Sequence, residues 1–255
     1  MKHSTLTVSA ASLIGLASIF YSNSSQAAII NGGFETGDFS QWNTVGNSSI
    51  QTSAYNSGPT EGTYDALLST TSNSSVPAAS LEDFLGLPSA SLNGIGNGDT
   101  YQGSAIKQTF TANAGQVLSF DWNFLTNEET PSQFFNDFFF VNISSANNVS
   151  SLSKLAETAS GLTASPTSNY PDTNKRFAKE TGFKTFTYSL PTTGIYTLEI
   201  GVTNVGDPYG VSGVLIDNAT VSTTSVPEPN SPLGILVFGS LGMGLVLKRQ
   251  RQNKV

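Results

Sequence analysis

The chain has 255 residues with a net charge of −7, only 11% of them are charged, and it contains no cysteine and one histidine, His3. This inventory excludes Ser-His-Asp and Cys-His catalysis, and zinc held by histidine or cysteine, from everything beyond the N-terminus. Six basic and 17 acidic residues give the stretch 28–226 a net charge of −11, which argues against nucleic acid as a partner because phosphate binding depends on lysine and arginine.

The N-terminus predicts a secretory signal peptide over residues 1–27. Lys2 supplies a charged start, and a short apolar run follows at 6–20. Ser25 and Ala27 then place small residues where a signal peptidase requires them. We therefore expect an exported protein whose mature chain begins just after this segment. An uncleaved anchor is the alternative.

The body of the chain, residues 28–224, has the pattern of an all-β ectodomain. Apolar and polar residues alternate in several short runs, and one run is almost continuously apolar. In chain order, the predicted strands are 49–53, 64–70, 105–111, 116–125, 134–143, 183–188, 194–204 and 214–222. About eight short strands separated by turn residues are typical of a two-sheet jelly-roll β-sandwich.

Two longer segments interrupt this pattern. Residues 76–98 contain four spaced apolar side chains and predict a short helix followed by a Gly- and Asn-rich stretch. Residues 146–178 are polar and contain two prolines. Because structureless loops of this length are uncommon inside compact domains, we expect 146–178 to form an exposed insertion.

The C-terminal segment, residues 225–255, predicts sorting and membrane anchoring. Residues 233–247 are uncharged and mainly apolar. As a transmembrane helix they would span about 22 Å, which is short of a hydrocarbon core of ~30 Å. The motif ahead of this helix is Pro227, Glu228 and Pro229. The basic residues of the tail 248–255 that act as a stop-transfer signal include Lys248, Arg249 and Arg251.

These three features, in this order, resemble the PEP-CTERM sorting signal of exosortase substrates, and the resemblance covers residues 225–255. It implies that an exosortase-like processing enzyme recognises the segment. It also implies an intermediate tethered to the inner membrane, and then a location at the cell surface or in the extracellular matrix. A plain C-terminal membrane anchor is the alternative.

The two edges of the body resemble carbohydrate-binding-module-like, or galactose-binding-like, jelly rolls. The opening reads INGGFE at 30–35 and continues through a Gly-containing turn to a tryptophan, and LIDN at 215–218 precedes the last strand. The resemblance implies one structural calcium ion, since calcium favours clustered oxygen ligands. Its implied ligands are the side chains of Glu35 and Asp217 and backbone carbonyls near Thr63 and Asn31. The alternative is a capped turn at each place.

Four carboxylates flank the aromatic strands, namely Asp121, Glu128, Glu129 and Asp137. Paired carboxylates hydrolyse glycosidic bonds, but the sequence does not fix their separation. Asp121 alternates with Phe120 and Trp122, so we expect its side chain on the opposite face of the strand. A surface role, a second calcium site and glycoside hydrolysis all stay open for this group.

Aromatic residues in turn-like contexts are candidates for stacking on sugar rings. Tyr209 is the candidate for ligand binding, whereas Trp42 follows the opening motif and is expected in the core. The sequence therefore predicts a non-catalytic surface or matrix protein that binds polysaccharide or acts in adhesion. A purely structural envelope protein is the first alternative, and a carboxylate-dependent glycoside hydrolase is the second.

Overall fold

The structure is a computed structural model that describes residues 29–223, except for 54–56, 72, 133, 147–149, 161 and 165–176. The predicted signal peptide, sorting motif, transmembrane helix 233–247 and basic tail all lie outside the described residues. In the part of the chain that is described, no helix has the length and hydrophobicity of a membrane span.

Two antiparallel sheets form an all-β sandwich of the jelly-roll type, which confirms the predicted fold of the body. Sheet A contains, in spatial order, β1 (Asn43–Val45), β5 (Thr100–Ala112), β12 (Gly194–Val205), β7 (Phe138–Ser145) and β8 (Ser150–Glu157), and β4 (Val76–Pro77) also pairs with β5. Sheet B contains β2 (Asn47–Thr52), β3 (Tyr64–Ser69), β13 (Ser212–Thr223), β6 (Gln116–Thr126), β10 (Lys179–Glu180) and β9 (Thr163–Ala164), and β11 (Lys184–Ser189) also pairs with β6.

The main core lies between the two sheets. In β6, Phe120, Trp122 and Phe124 are buried there, as the alternation of this strand predicts. The same alternation in β12 buries Leu198 and the other even-numbered apolar residues of that strand. Trp42 is also part of this core and is 6% exposed, which confirms its predicted position.

A short helix, α1 (Ala78–Leu85), covers part of the outer face of sheet A. Leu81 and Leu85 pack with Phe138 and Phe140, whose side chains point away from the main core. The helix ends at Gly86, whose φ of 65° is the left-handed conformation that glycine adopts at helix C-termini. The helix predicted within residues 76–98 is therefore confirmed.

Two segments differ from the prediction. The run 134–143 does not form one strand, because β7 begins only at Phe138 and the residues before it form a loop. The predicted loop 146–178 contains β8, which pairs with β7 at the edge of sheet A. Only one side of an edge strand is paired and its burial here is partial, so the polar sequence of β8 is compatible with a strand.

A β-bulge in β13 positions the acidic residue of the LIDN motif. The register of β13 against β6 shifts between Asp217 and Thr220, and Asn218 has a φ of 52°. Alternation from the core-facing Ile216 places the Asp217 side chain on the outer face of sheet B, and the extra residue after it allows Ala219 to face the core again. The backbone N–H of Ala219 donates to the carbonyl of Gly32, 2.9 Å away, which brings the opening turn to the bulge.

Candidate functional site

Three aspartates lie side by side on the outer face of sheet B, and we call them the aspartate row. Asp217 of β13 is paired with Asp121 of β6. The adjacent pair Ile216–Ala66 places Asp65 of β3 on the other side of Asp217. Like charges at directly opposite positions of a sheet destabilise it, so this arrangement requires compensation.

Asp65 is the least compensated member of the row. It is fully buried, and neither oxygen of its carboxylate has a hydrogen-bond partner in the structure. Burial, reinforced by the charge of Asp217, raises the pKa of Asp65 to about 7. A buried carboxylate of this kind either stays protonated or needs a positive charge beside it.

Asp217 and Glu35 hold two halves of one turn, residues 60–64. The backbone N–H groups of Thr60 and Glu61 donate to Oδ2 of Asp217 at 2.7 and 2.9 Å. The N–H groups of Thr63 and Tyr64 each donate to Oε1 of Glu35 at 2.9 Å. The two predicted calcium ligands therefore meet at the same turn, and each is also a hydrogen-bonding cap.

The glycines of this region permit that approach. A Cβ added at Gly33 would lie 3.6 Å from Oδ1 of Asp217 and 3.8 Å from Cγ of Glu35, so both side chains flank Gly33. A Cβ added at Gly62, whose φ is 67°, would overlap the carboxylate of Glu35. Asn31 is bound elsewhere, because its carbonyl accepts hydrogen bonds from Nε1 of Trp42 at 3.0 Å and from the N–H of Phe34 at 3.2 Å.

Three exposed aromatic residues on two adjoining loops form what we call the aromatic tip: Phe134, Phe135 and Tyr209. These residues are 85%, 41% and 77% exposed, respectively. The loops touch at Gly206, where an added Cβ would lie 3.3 Å from the carbonyl oxygen of Phe134 and 3.3 Å from Cδ1 of Phe135. The candidate residue Tyr209 is therefore one part of a larger apolar surface at one end of the sandwich.

Polar groups fix the loop that carries Tyr209. Its N–H donates to Oδ1 of Asp207 at 2.8 Å. From below, Nδ2 of Asn204 donates to the carbonyls of Tyr209 and Gly210 at 3.3 and 3.2 Å. The carboxylate of Glu128 packs directly on Gly210, where a Cβ would overlap it. These contacts place two carboxylates and three aromatic rings around the same loops.

No protein-family model and no curated protein sequence matches the chain. Solved structures with similarity to it include TmCBM61 in complex with beta-1,4-galactotriose, at 13% identity and a TM-score of 0.43, covering 77% of this chain and 97% of that one. The CBM22-1 xylan-binding domain from Paenibacillus barcinonensis has 10% identity and a TM-score of 0.35, with coverages of 76% and 94%. A cleaved adhesin domain of Lys-gingipain from Porphyromonas gingivalis has 14% identity and a TM-score of 0.39, with coverages of 78% and 99%.

The four carboxylates that flank the aromatic strands do not act as one group. Asp121 belongs to the aspartate row, and about 17 Å of extended chain separates it from the end of β6 that leads to Glu128. Asp137 is buried, with 1% exposure. Among the described residues, no three acidic, histidine or cysteine side chains converge closely enough to hold a metal ion by themselves. A cation at the aspartate row would therefore need backbone carbonyls or water as further ligands.

Sequence reasoning missed Asp65 and the two phenylalanines of the tip. Asp65 could have been noticed because it lies on the same face of β3 as Leu67. Hardly any residue of this strand is exposed, and a buried strand is an unusual place for a charge. Phe134 and Phe135 were hidden within a continuous apolar run that resembled the start of a buried strand. In that run, Asn136 and Asp137 mark the boundary between loop and strand.

Proposed function

We propose that this chain is an exported, non-catalytic surface protein whose β-sandwich binds polysaccharide at the aromatic tip. The observation that carries the proposal is the exposure of Phe134, Phe135 and Tyr209 on adjoining loops, since adjoining exposed apolar side chains mark interaction sites, whereas isolated ones do not. Planar rings stack on the apolar faces of sugars, while carboxylates such as Glu128 and Asp207 accept hydrogen bonds from sugar hydroxyls.

Affinity electrophoresis of the purified protein on a panel of soluble polysaccharides tests this proposal. We expect at least one polysaccharide to retard the protein, and the substitutions Tyr209→Ala and Phe134→Ala together to weaken binding about tenfold or more. Ile195→Ala is the matched control, because Ile195 is 52% exposed and is the second residue of β12, at the opposite end of that strand from the tip. Reducing-end release from the bound polysaccharide would contradict the non-catalytic assignment, and an unretarded wild type would favour the purely structural alternative.

We propose further that one calcium ion binds where the opening turn, the turn 60–64 and β13 meet. The unpartnered carboxylate of Asp65 supports this, because it fits a site that holds a positive charge. Asp217 and Glu35 would be the side-chain ligands, the carbonyl of Thr63 would add a backbone oxygen, and water would complete the coordination, while the charge of Asp65 would lie beside the ion without binding it. The ion would supply charge neutralisation and cross-linking, so its role would be structural.

Export and sorting remain proposals drawn from the two ends of the sequence. The charged and apolar segments at 1–27 support secretion. The motif Pro227-Glu228-Pro229, followed by the apolar segment 233–247 and the basic tail 248–255, supports processing by an exosortase-like enzyme. Mass spectrometry of the protein recovered from its native host would locate both cleavage sites. Recovery of the intact C-terminus from the cell surface would contradict processing and favour a permanent anchor.

A further inference from the structure

The aromatic tip is surrounded by hydrogen-bond acceptors and negative charge. Glu128 and Asp207 lie beside it, and Glu129 is exposed next to Glu128. Burial raises the pKa of Glu128, and the nearby charges of Asp207 and Glu129 raise it further. The carboxylates therefore repel one another, and the basic residues that the structure describes do not offset this repulsion.

Among the described residues, few basic side chains lie near the carboxylates of the aromatic tip. Of the basic side chains that the structure describes, Lys179 is the one whose contacts reach the group. Its Nζ donates to the backbone carbonyl of Glu128 at 3.2 Å, and its charge opposes the rise in the pKa of Glu128 less strongly than the other causes promote it. The neighbouring Lys175 and Arg176 lie outside the described residues.

Asn204 supports the tip from beneath. It is fully buried, and its Nδ2 donates to the carbonyls of Tyr209 and Gly210. Among the described residues, the loops of the tip thus present exposed rings together with the carboxylates of Glu128 and Asp207, and Lys179 is the basic side chain that contacts these loops.

We infer that the ligand of the aromatic tip is a polysaccharide of amine-bearing sugars, such as a glucosamine polymer, whose ammonium groups pair with Glu128 and Asp207. This inference rests on the proposed polysaccharide-binding function and names its ligand class. An ammonium group supplies three donors and a positive charge, and it is also attracted to the faces of Tyr and Phe rings. Polysaccharides rich in carboxylate or sulfate would be repelled by the same residues.

The test compares two soluble oligosaccharides that differ only in acetylation of the amine. Binding of the purified protein to a glucosamine oligomer and to its N-acetylated counterpart is measured by calorimetry, at a pH at which the free amine is protonated. We expect the free-amine oligomer to bind about tenfold or more tightly, as loss of a charge-assisted hydrogen bond predicts, and added salt to reduce that difference.

Variants then assign the effect to the tip. Glu128→Gln combined with Asp207→Asn should bring the ratio of the two affinities close to one, because the amides keep the shape of the side chains and lose the negative charge that favours the ammonium group. Asp83→Asn is the matched control, since Asp83 is exposed on α1. Thermal unfolding of each variant confirms that the fold is retained.

Each outcome has a distinct meaning. Equal binding of the two oligomers, lost on Tyr209→Ala, would overturn the inference and leave the proposed function intact. Absence of binding to both oligomers and to every other polysaccharide would remove the proposed function itself. Calcium that binds at Glu128 and Asp207 and displaces the amine oligomer would identify the tip as a metal site instead, and would also overturn the inference.

Discussion

At the scale of single residues, Asp137 is the buried acid that connects the two sheets near the tip. Its Oδ2 accepts a hydrogen bond from Oγ of Ser212 in sheet B at 2.6 Å, and its Oδ1 accepts one from the N–H of Val205 in sheet A at 3.0 Å. Burial raises the pKa of Asp137 to about 8, although both hydrogen bonds lower it. Burial therefore favours the neutral acid at this position in the folded domain.

This protonation makes the free energy of unfolding depend on pH. The pKa of Asp137 is about 4 in the unfolded chain and about 8 in the folded chain. Its stabilising contribution is therefore complete below about pH 4 and is lost as the pH rises to about 8, with a slope of up to about 1.4 kcal/mol per pH unit.

Asp137→Asn should reduce this slope, because the amide has the shape of the neutral acid and does not ionise. Denaturant unfolding in EDTA at about pH 5 and about pH 8 measures the difference for wild type and variant. Asp65, whose pKa is also raised, contributes the same sign, so part of the slope should remain. An unchanged slope in the variant would show that Asp137 is ionised in the folded state, and Asp83→Asn serves as the control with the wild-type slope.

At the scale of elements, the insert that follows β4 depends on one glutamate. Glu82 of α1 is 3% exposed, and its two carboxylate oxygens accept hydrogen bonds from the N–H groups of Ala90 and Leu92 at 2.8 and 2.9 Å. These bonds fix the loop after the helix and hold Leu92 against the outer face of sheet A. A carboxylate at this place therefore organises a segment that has no regular structure of its own.

Glu82→Ala should destabilise the protein by about 1–3 kcal/mol, because it leaves the buried N–H of Leu92 without an acceptor, whereas water can reach the N–H of the exposed Ala90. Glu82→Gln should cost less, since the amide oxygen can still accept one of the two bonds. Denaturant midpoints measure both losses, and hydrogen exchange at Leu92 should become faster in Glu82→Ala. Exchange at Leu92 that stays slow would mean that packing alone holds the loop, and the exposed neighbour in Asp83→Asn should change stability by less than about 0.5 kcal/mol.

The elements also show what the sequence could and could not predict. Strands β6 and β12 were predicted almost to their ends, because each buries one face in the main core and the alternation of residues records this. The apolar run 134–143 was misread as one strand. Within β7, Phe138 and Phe140 are buried by α1 rather than by the main core, so apolar residues occupy both faces of the strand. Burial on both faces of a strand removes alternation, so the loop residues Phe134 and Phe135 could not be separated from the strand.

The candidate calcium site was also predicted only in part from the sequence. Glu35 and Asp217 were predicted to meet through a family resemblance, and they do share the turn 60–64. Asp65 was not predicted, because its position next to Asp217 arises from the pairing of β3 with β13, which are distant in sequence. Strand pairing of this kind is a property of the whole fold, and the local pattern of residues does not contain it.

At the scale of the whole molecule, the proposed calcium ion would connect the two ends of the domain. The opening turn contributes Glu35, and the last strand contributes Asp217, which is 157 residues from its hydrogen-bond partner Thr60. The domain contains no disulfide, and its acidic excess favours cations. Because the ion would bind the folded state alone, calcium at about 100 times its dissociation constant should stabilise the wild type by about 2.7 kcal/mol.

Asp65→Asn separates this proposal from a general effect of calcium on an acidic protein. In EDTA at about pH 8, above the pKa of about 7 that Asp65 has in the folded protein, the variant should unfold at a higher temperature than wild type, because it removes an unpartnered buried charge beside Asp217. In saturating calcium the order should reverse, since the variant has lost a negative charge beside the ion. Scanning calorimetry of both proteins, with Asp83→Asn as the control, measures this crossing. Equal calcium shifts in all three proteins would remove Asp65 from the site, and no shift in wild type would remove the ion.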